Sequence, residues 1–174
     1  MASTKKPARV SAAKRFAQIE RISIAGITER MGPLGLHMYA EAYLNAARSL
    51  PLPTVPFDPV RPFLVCHSIE LGLKAFLLLQ GSAMLELADG SYGHNLEAIL
   101  QKADEKHLGA SVTLTKSQRA EIHRASLYYV GKVFEYPAVG EAMSGYPSMP
   151  AIDTLFEVAA MLVDSLRQPC REAK

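Results

Sequence analysis

The sequence predicts an all-α protein, a five- or six-helix up-and-down bundle. Three observations predict it. Apolar residues recur at three- and four-residue spacing in several separate stretches, the period of one helix face. No run alternates apolar and polar residues between hairpin dipeptides, so a strand signal is missing. Proline, glycine and capping residues fall where the periodic stretches begin and end.

In chain order, residues 1–10 read as a basic flexible tail and 11–174 as a single helical bundle domain. Ser11 caps a first helix through about Arg21, which Ile22 to Arg30 continue past Gly26. Gly32-Pro33 resets the chain, and Pro33 suits the first turn of a helix reaching about Ser49. Leu36, Tyr39, Ala40, Tyr43, Leu44 and Ala47 are its periodic apolar positions. Between Pro51 and Pro62 the density of prolines fixes φ and removes N–H donors, which implies a stiff extended connector. Pro62 then opens the most apolar helix, which Gly81 stops. A helix apolar on several sides belongs at the centre of a fold. A loop through Gly93 leads to a helix from Asn95 with Leu96, Ile99, Leu100 and Ala103. Thr115 and Gln118 match a capping box for a helix ending near Val130. After a Gly/Pro-rich stretch, Pro150 starts a final amphipathic helix carrying Leu155, Ala159, Leu162 and Leu166.

Composition and charge narrow the function classes. The chain has 174 residues, 49% hydrophobic and 21% charged, an ordinary globular profile. The stretch Phe63 to Leu79 is broken by His67, Glu70 and Lys74, too polar for a membrane span. No uninterrupted apolar segment follows the basic start, so no signal peptide is expected. Two cysteines, Cys66 and Cys170, imply neither a disulfide framework nor a zinc site. A cytoplasmic location follows as the expectation. Net charge is +2, unevenly spread. Residues 1–30 carry seven basic side chains against Glu20 and Glu29, a balance of +5, while the remainder balances at −3. Such an arm can touch phosphates, but the body has no basic stripe with interleaved aromatics for reading a nucleic-acid sequence.

The residues that could carry chemistry centre on Cys66-His67-Ser68-Ile69-Glu70-Leu71-Gly72-Leu73-Lys74. On a helix, His67, Glu70 and Lys74 share one edge, with Glu70 four residues before Lys74 in the favourable ion-pair order. An exposed polar stripe fits that spacing. A central position in the fold instead calls for a buried network, because ionisable groups in a core demand partners. Either His94 or Asn95 occupies the cap of the next helix, and His94 can reach a carboxylate. Cys66 and His67 do not form a dyad, since neighbours on a helix point apart. Arg119 and His123 read as an exposed polar face. No zinc-protease, phosphate-loop or nucleophile-elbow motif is found, so no metal and no cofactor is expected.

The order Ile69-Glu70, Lys74-Ala75, His94-Asn95-Leu96 and Glu135-Tyr136-Pro137 resembles the HEPN (higher eukaryotes and prokaryotes nucleotide-binding) superfamily over residues 60–137. The resemblance implies an all-α bundle, commonly homodimeric and tied to RNA metabolism, toxin–antitoxin pairs or nucleotidyltransferase partners. It also implies that Glu70, Lys74, His94 and Tyr136 belong to a binding or structural polar network. Active members carry Arg-x(4–6)-His in a later helix and cleave RNA without metal. Here that spacing occurs earlier, as Arg30 to His37 and Arg61 to His67, and Glu135 reverses the charge of the family's usual arginine. With Pro62 opening the helix, Arg61 is expected just outside it.

Two readings follow. The first is a catalytically degenerate binding or regulatory module acting through homodimerisation and a protein or nucleic-acid partner. The second is a metal-independent endoribonuclease using His67 or His37 with Arg61 or another arginine. A helical partner subunit of a nucleotidyltransferase is a third class implied by the resemblance alone, with an antitoxin, RNA or nucleotide as further possible partners.

Overall fold

The computed structural model describes residues 31–54, 57–88, 91–144, 146 and 148–173. The chain divides into two compact units, Met1–Met31 and Gly32–Lys174. The basic tail, the helix expected from Ser11 and Arg30 lie outside the described residues. Within the second unit the order is α1 (Pro33–Ser49), α2 (Val60–Leu79), α3 (Met84–Leu87) and α4 (Leu96–Glu105). A 3-10 turn (Leu108–Ala110) follows, then α5 (Lys116–Val130), α6 (Val139–Ser144) and α7 (Ile152–Glu172). No strand occurs among the described residues. The all-helical bundle expected from the sequence is what the chain forms.

The centre is α2. It packs against α1, α4, α5 and α7, while α1 also meets α7 and α4 meets α5. Val65, Cys66, Ile69, Leu73, Ala75, Phe76 and Leu77 are buried around its circumference. Each fully buried Leu, Ile or Phe contributes about 1.5–3 kcal/mol, so a helix enclosed on several sides concentrates much of the core's stabilisation. By length and hydropathy α2 passes the test for a membrane span, but 67% of its most apolar window is buried inside the bundle. Its apolar length therefore serves the core.

Gly72 sets how closely α7 approaches. A methyl group at that position would stand 3.3 Å from the Leu162 Cβ, tighter than ordinary packing. Glycine thus lets the backbones of α2 and α7 draw together. On the opposite flank, Ser68 Oγ donates to the Ala40 carbonyl at 2.8 Å and ties α2 to α1.

The starts and stops of the helices follow their capping chemistry, with four departures from expectation. First, α2 begins at Val60, two residues before Pro62. Asp58 Oδ1 accepts from the Val60 N–H at 3.1 Å, and Pro62 falls in the first turn, where its missing N–H would have had no helical acceptor anyway. Arg61 therefore lies inside the helix rather than just before it. Second, the loop after Gly81 contains α3, four residues long. Third, the Gly/Pro-rich stretch contains α6, six residues long. Elements this short leave no periodic pattern to detect. Fourth, α7 begins at Ile152 with Ala151 as its N-cap, so Pro150 precedes the helix instead of starting it. The remaining ends are as expected. Gly81 takes φ +81 and closes α2, with the Ser82 N–H returning to the Leu77 carbonyl, a left-handed glycine stop. Thr115 and Gln118 make both hydrogen bonds of the capping box at the head of α5.

Replacing Gly72 by valine should force α7 away from α2 and lower stability by about 1–3 kcal/mol, the usual range for overpacking. Urea denaturation of the variant beside the wild type measures it; an unchanged midpoint would contradict the close approach.

Candidate functional site

Glu70 is buried on α2, and its carboxylate gathers side chains from three parts of the chain. Lys74, one turn later, donates to Oε1 at 2.7 Å. The Tyr129 hydroxyl, from α5, donates to Oε2 at 2.8 Å. His94, from the turn before α4, contacts the same Oε2 through Nδ1 at 3.0 Å. His67 Nδ1 stands 3.4 Å from Oε2 and 2.7 Å from the tyrosine oxygen.

These contacts determine the proton positions. A carboxylate only accepts, so His94 Nδ1 carries a proton and donates it. The tyrosine proton is given to Glu70, so the Tyr129 oxygen accepts and His67 Nδ1 donates to it. Both imidazoles thus hold their Nδ1 protons inward, which leaves Nε2 as the remaining ring nitrogen of each.

Burial alone would push the Glu70 carboxyl up. The Nδ1–H of His67 beside it, the charge of Lys74, and the hydrogen bonds of Lys74 and Tyr129 outweigh it and hold the carboxyl well below the usual carboxylate range. Tyr129 moves the other way. Burial, then the charge of Glu70 and the hydrogen bond to it, keep the phenol protonated far above its ordinary range. Tyr129 is therefore a fixed donor.

The surroundings hold the two histidines in place. The edge of Tyr43 meets His67 with centroids 4.5 Å apart, and Phe63 stacks on the same ring at 5.8 Å. His94 lies edge-on to Tyr129 at 5.0 Å. His94 adopts φ 57, in the left-handed region, a conformation that costs a non-glycine residue on the order of 1–3 kcal/mol. The neighbouring cap restrains that turn. Asn95 Oδ1 accepts from Ala98 N–H at 3.1 Å, and Ser126 Oγ accepts from Glu97 N–H at 3.2 Å. Asn95 is thus the helix cap, and His94 is the residue that reaches the carboxylate.

The structure brings together four of the residues singled out in the sequence, His67, Glu70, Lys74 and His94, and separates the others from them. Arg61 turns away from His67, donating to the Leu50 carbonyl at 3.0 Å and the Pro51 carbonyl at 2.6 Å. His37 is buried, and its Nε2 contacts the Val163 carbonyl at 2.6 Å. Tyr136 is 75% exposed and takes no part in the network; Tyr129 is the tyrosine that does. The signal for Tyr129 was present in the stripe Ile122, Ala125, Tyr129, which places it on the inner face of α5. Arg119 and His123 make surface pairs with Asp104 and Glu97, as a polar helix face would. Cys66 is fully buried, and burial, followed by the charge of Glu70, pushes its thiol far up, so no thiolate is at hand.

His67, Glu70 and His94 hold potential metal-ligating atoms within 4.8 Å of one another. A separate cavity of about 370 Å³ opens between the proline connector and the head of α7. Phe57, Arg61, Tyr146 and Phe156 line it, and none of the Glu70 cluster does. Comparison of the chain with protein-family models, curated proteins and solved structures found no match.

Two predictions follow from the cluster. Glu70→Ala strands Lys74 in the core and should cost about 3–5 kcal/mol, the range for breaking a buried pair. Tyr129→Phe removes one neutral donor and should cost only about 1–3 kcal/mol. Equilibrium denaturation orders the two, and equal losses would contradict the hub. The second concerns pH. Because the folded carboxyl lies below its unfolded value, its contribution is complete above the unfolded value of about 4.3 and is lost progressively in stronger acid, as the unfolded chain takes up the proton first. Wild-type stability should therefore fall as pH drops below that value, with the slope reduced in Glu70→Gln. Parallel slopes would show that Glu70 is not responsible.

Proposed function

We propose that this chain is a HEPN-like binding or regulatory module without catalytic activity, cytoplasmic, working through homodimerisation and a protein or nucleic-acid partner. The observation that carries the reading is that the side chains able to do chemistry are committed to internal partners. Glu70 is surrounded by donors, His37 is buried against a helix carbonyl, and Arg61 serves two loop carbonyls. Metal-independent RNA cleavage needs a histidine to move protons and a cation to neutralise the developing phosphate charge. His67 has the cluster's ammonium, Lys74, on the far carboxylate oxygen, and Arg61 faces elsewhere.

The homodimer has its own support. Leu127 and Val130 lie on the outer side of α5, and Tyr136, Val139 and Met143 follow within a short stretch of chain, all exposed. Exposed apolar groups that gather into one contiguous patch mark an interaction surface, and these five are the groups that would supply it.

Light scattering during gel filtration, together with incubation in a mixed RNA pool containing EDTA, tests the reading. A dimer that Leu127→Lys converts to a monomer, with no RNA cleavage, is the expected result. Cleavage that persists in EDTA and is lost in His67→Ala, with folding intact, would overturn it and establish the ribonuclease. His37→Ala is a poor probe of chemistry, because removing a buried ring also leaves a cavity.

A further inference from the structure

We propose that His67, Glu70 and His94 form a binding site for a zinc-class divalent cation. The proposal concerns the same cluster but does not depend on the module reading, since it claims a bound ion and not a state of assembly.

The donor set is the first ground. Two imidazoles and one carboxylate suit zinc, nickel or cobalt, and such a three-residue set leaves a further position for water. Geometry is the second. An ion held at about 2.0–2.2 Å by nitrogen and oxygen spaces its ligands roughly 3.3 Å apart in a tetrahedron. The two edges that meet at Glu70 Oε2 are already close to this, at 3.4 Å to His67 Nδ1 and 3.0 Å to His94 Nδ1. Only the edge between the two histidines, within 4.8 Å, has to close. His94 has the room to do so, with its side chain 38% exposed at the mouth of the cluster. That opening is also the route of entry.

The protons can be followed through binding. In the ion-free state each Nδ1 carries a proton directed into the cluster. When an ion arrives, each ring gives up its Nδ1 proton to solvent and coordinates through Nδ1 as a neutral imidazole with its proton on Nε2. Glu70 is ionised before and after. The carboxylate keeps Lys74 on Oε1, so the ion shares one negative charge with an ammonium. This sharing places the expected affinity below that of a zinc site built from thiolates. The Tyr129 oxygen, 2.8 Å from Oε2 and 2.7 Å from His67 Nδ1, remains a protonated neighbour that can hydrogen-bond the liganding oxygen.

Competing ligands elsewhere are few. Residues 1–30 contain neither histidine nor cysteine. Cys66, Cys170 and His37 are buried away from solvent, and His107 is exposed. His123 with Glu97 is an exposed surface pair, which makes it a suitable control.

The experiment uses the full chain, freed of metal with a chelator and exchanged into chelator-free buffer. Zinc is titrated against a chromophoric indicator, and cobalt is followed by its visible absorption. The expected result is one ion per chain, with cobalt bands of a four- or five-coordinate ion and a melting temperature raised by zinc. His94→Asn, chosen because asparagine tolerates the left-handed backbone at this position, should weaken zinc binding at least about tenfold while the helical spectrum is unchanged. His123→Ala should bind as the wild type does. No stoichiometric binding by the wild type, undiminished binding by His94→Asn, or an equal loss in His123→Ala would each overturn the site.

Discussion

A single carboxylate placed in the middle of the most apolar helix governs much of what surrounds it. An ionised group removed from water costs several kcal/mol unless partners replace the solvent. Glu70 meets that demand with three direct donors, Lys74, Tyr129 and His94, and with the His67 ring beside them. One donor is a full cation and another is a neutral phenol, so the site is not simply an ion pair. The arrangement keeps the carboxyl ionised although burial opposes it. It also makes the orientation of four other side chains a condition of the fold.

Those donors come from different distances along the chain, and that links local to global structure. His67 and Lys74 lie within one turn of Glu70 on the same helix, so they can approach it as soon as α2 forms. Tyr129 is 59 residues away and His94 is 24. Until α5 docks and the turn before α4 closes, Oε2 lacks its partners. Docking of those two segments is therefore coupled through one oxygen atom. The contacts of α2 with α1 and α7 do not pass through Glu70; toward α1 they rest on packing and the Ser68–Ala40 hydrogen bond, and toward α7 on packing and the close approach at Gly72.

Much of this arrangement was legible in the sequence, for physical reasons that differ from residue to residue. The helices could be read because their apolar period, prolines and capping box are local signals, and Thr115 with Gln118 behaves as its spacing implies. The grouping of His67, Glu70 and Lys74 follows from helical spacing, and their burial follows from the apolar residues around them. His94 was identifiable as a residue within reach of a carboxylate, but choosing it over Asn95 needed the backbone, because φ 57 is what directs its ring. Tyr129 was missed in favour of Tyr136, since a motif-like Tyr-Pro pair draws attention while the phase of α5 decides which tyrosine turns inward. Arg61 was misplaced for a related reason. Pro62 looks like a helix start, yet a proline is equally at home two positions later in the first turn, where no N–H is needed.

The same central carboxylate limits where recognition by another molecule can occur. Any partner that displaced Tyr129 or Lys74 would have to offset the loss of a buried ion's partner, which is among the larger penalties available in a protein this size. The inner side of the cluster is thereby reserved for holding the bundle together. Only its outer rim, where His94 and to a lesser degree His67 reach solvent, can exchange one neighbour for another at modest cost. The exposed side chains of Leu127, Tyr136, Val139 and Met143 are, by contrast, groups whose loss the core does not register. A fold built around one buried charge in this way separates the residues that maintain it from the residues free to vary, and the separation runs between the two faces of α5: Tyr129 inward, Leu127 and Val130 outward.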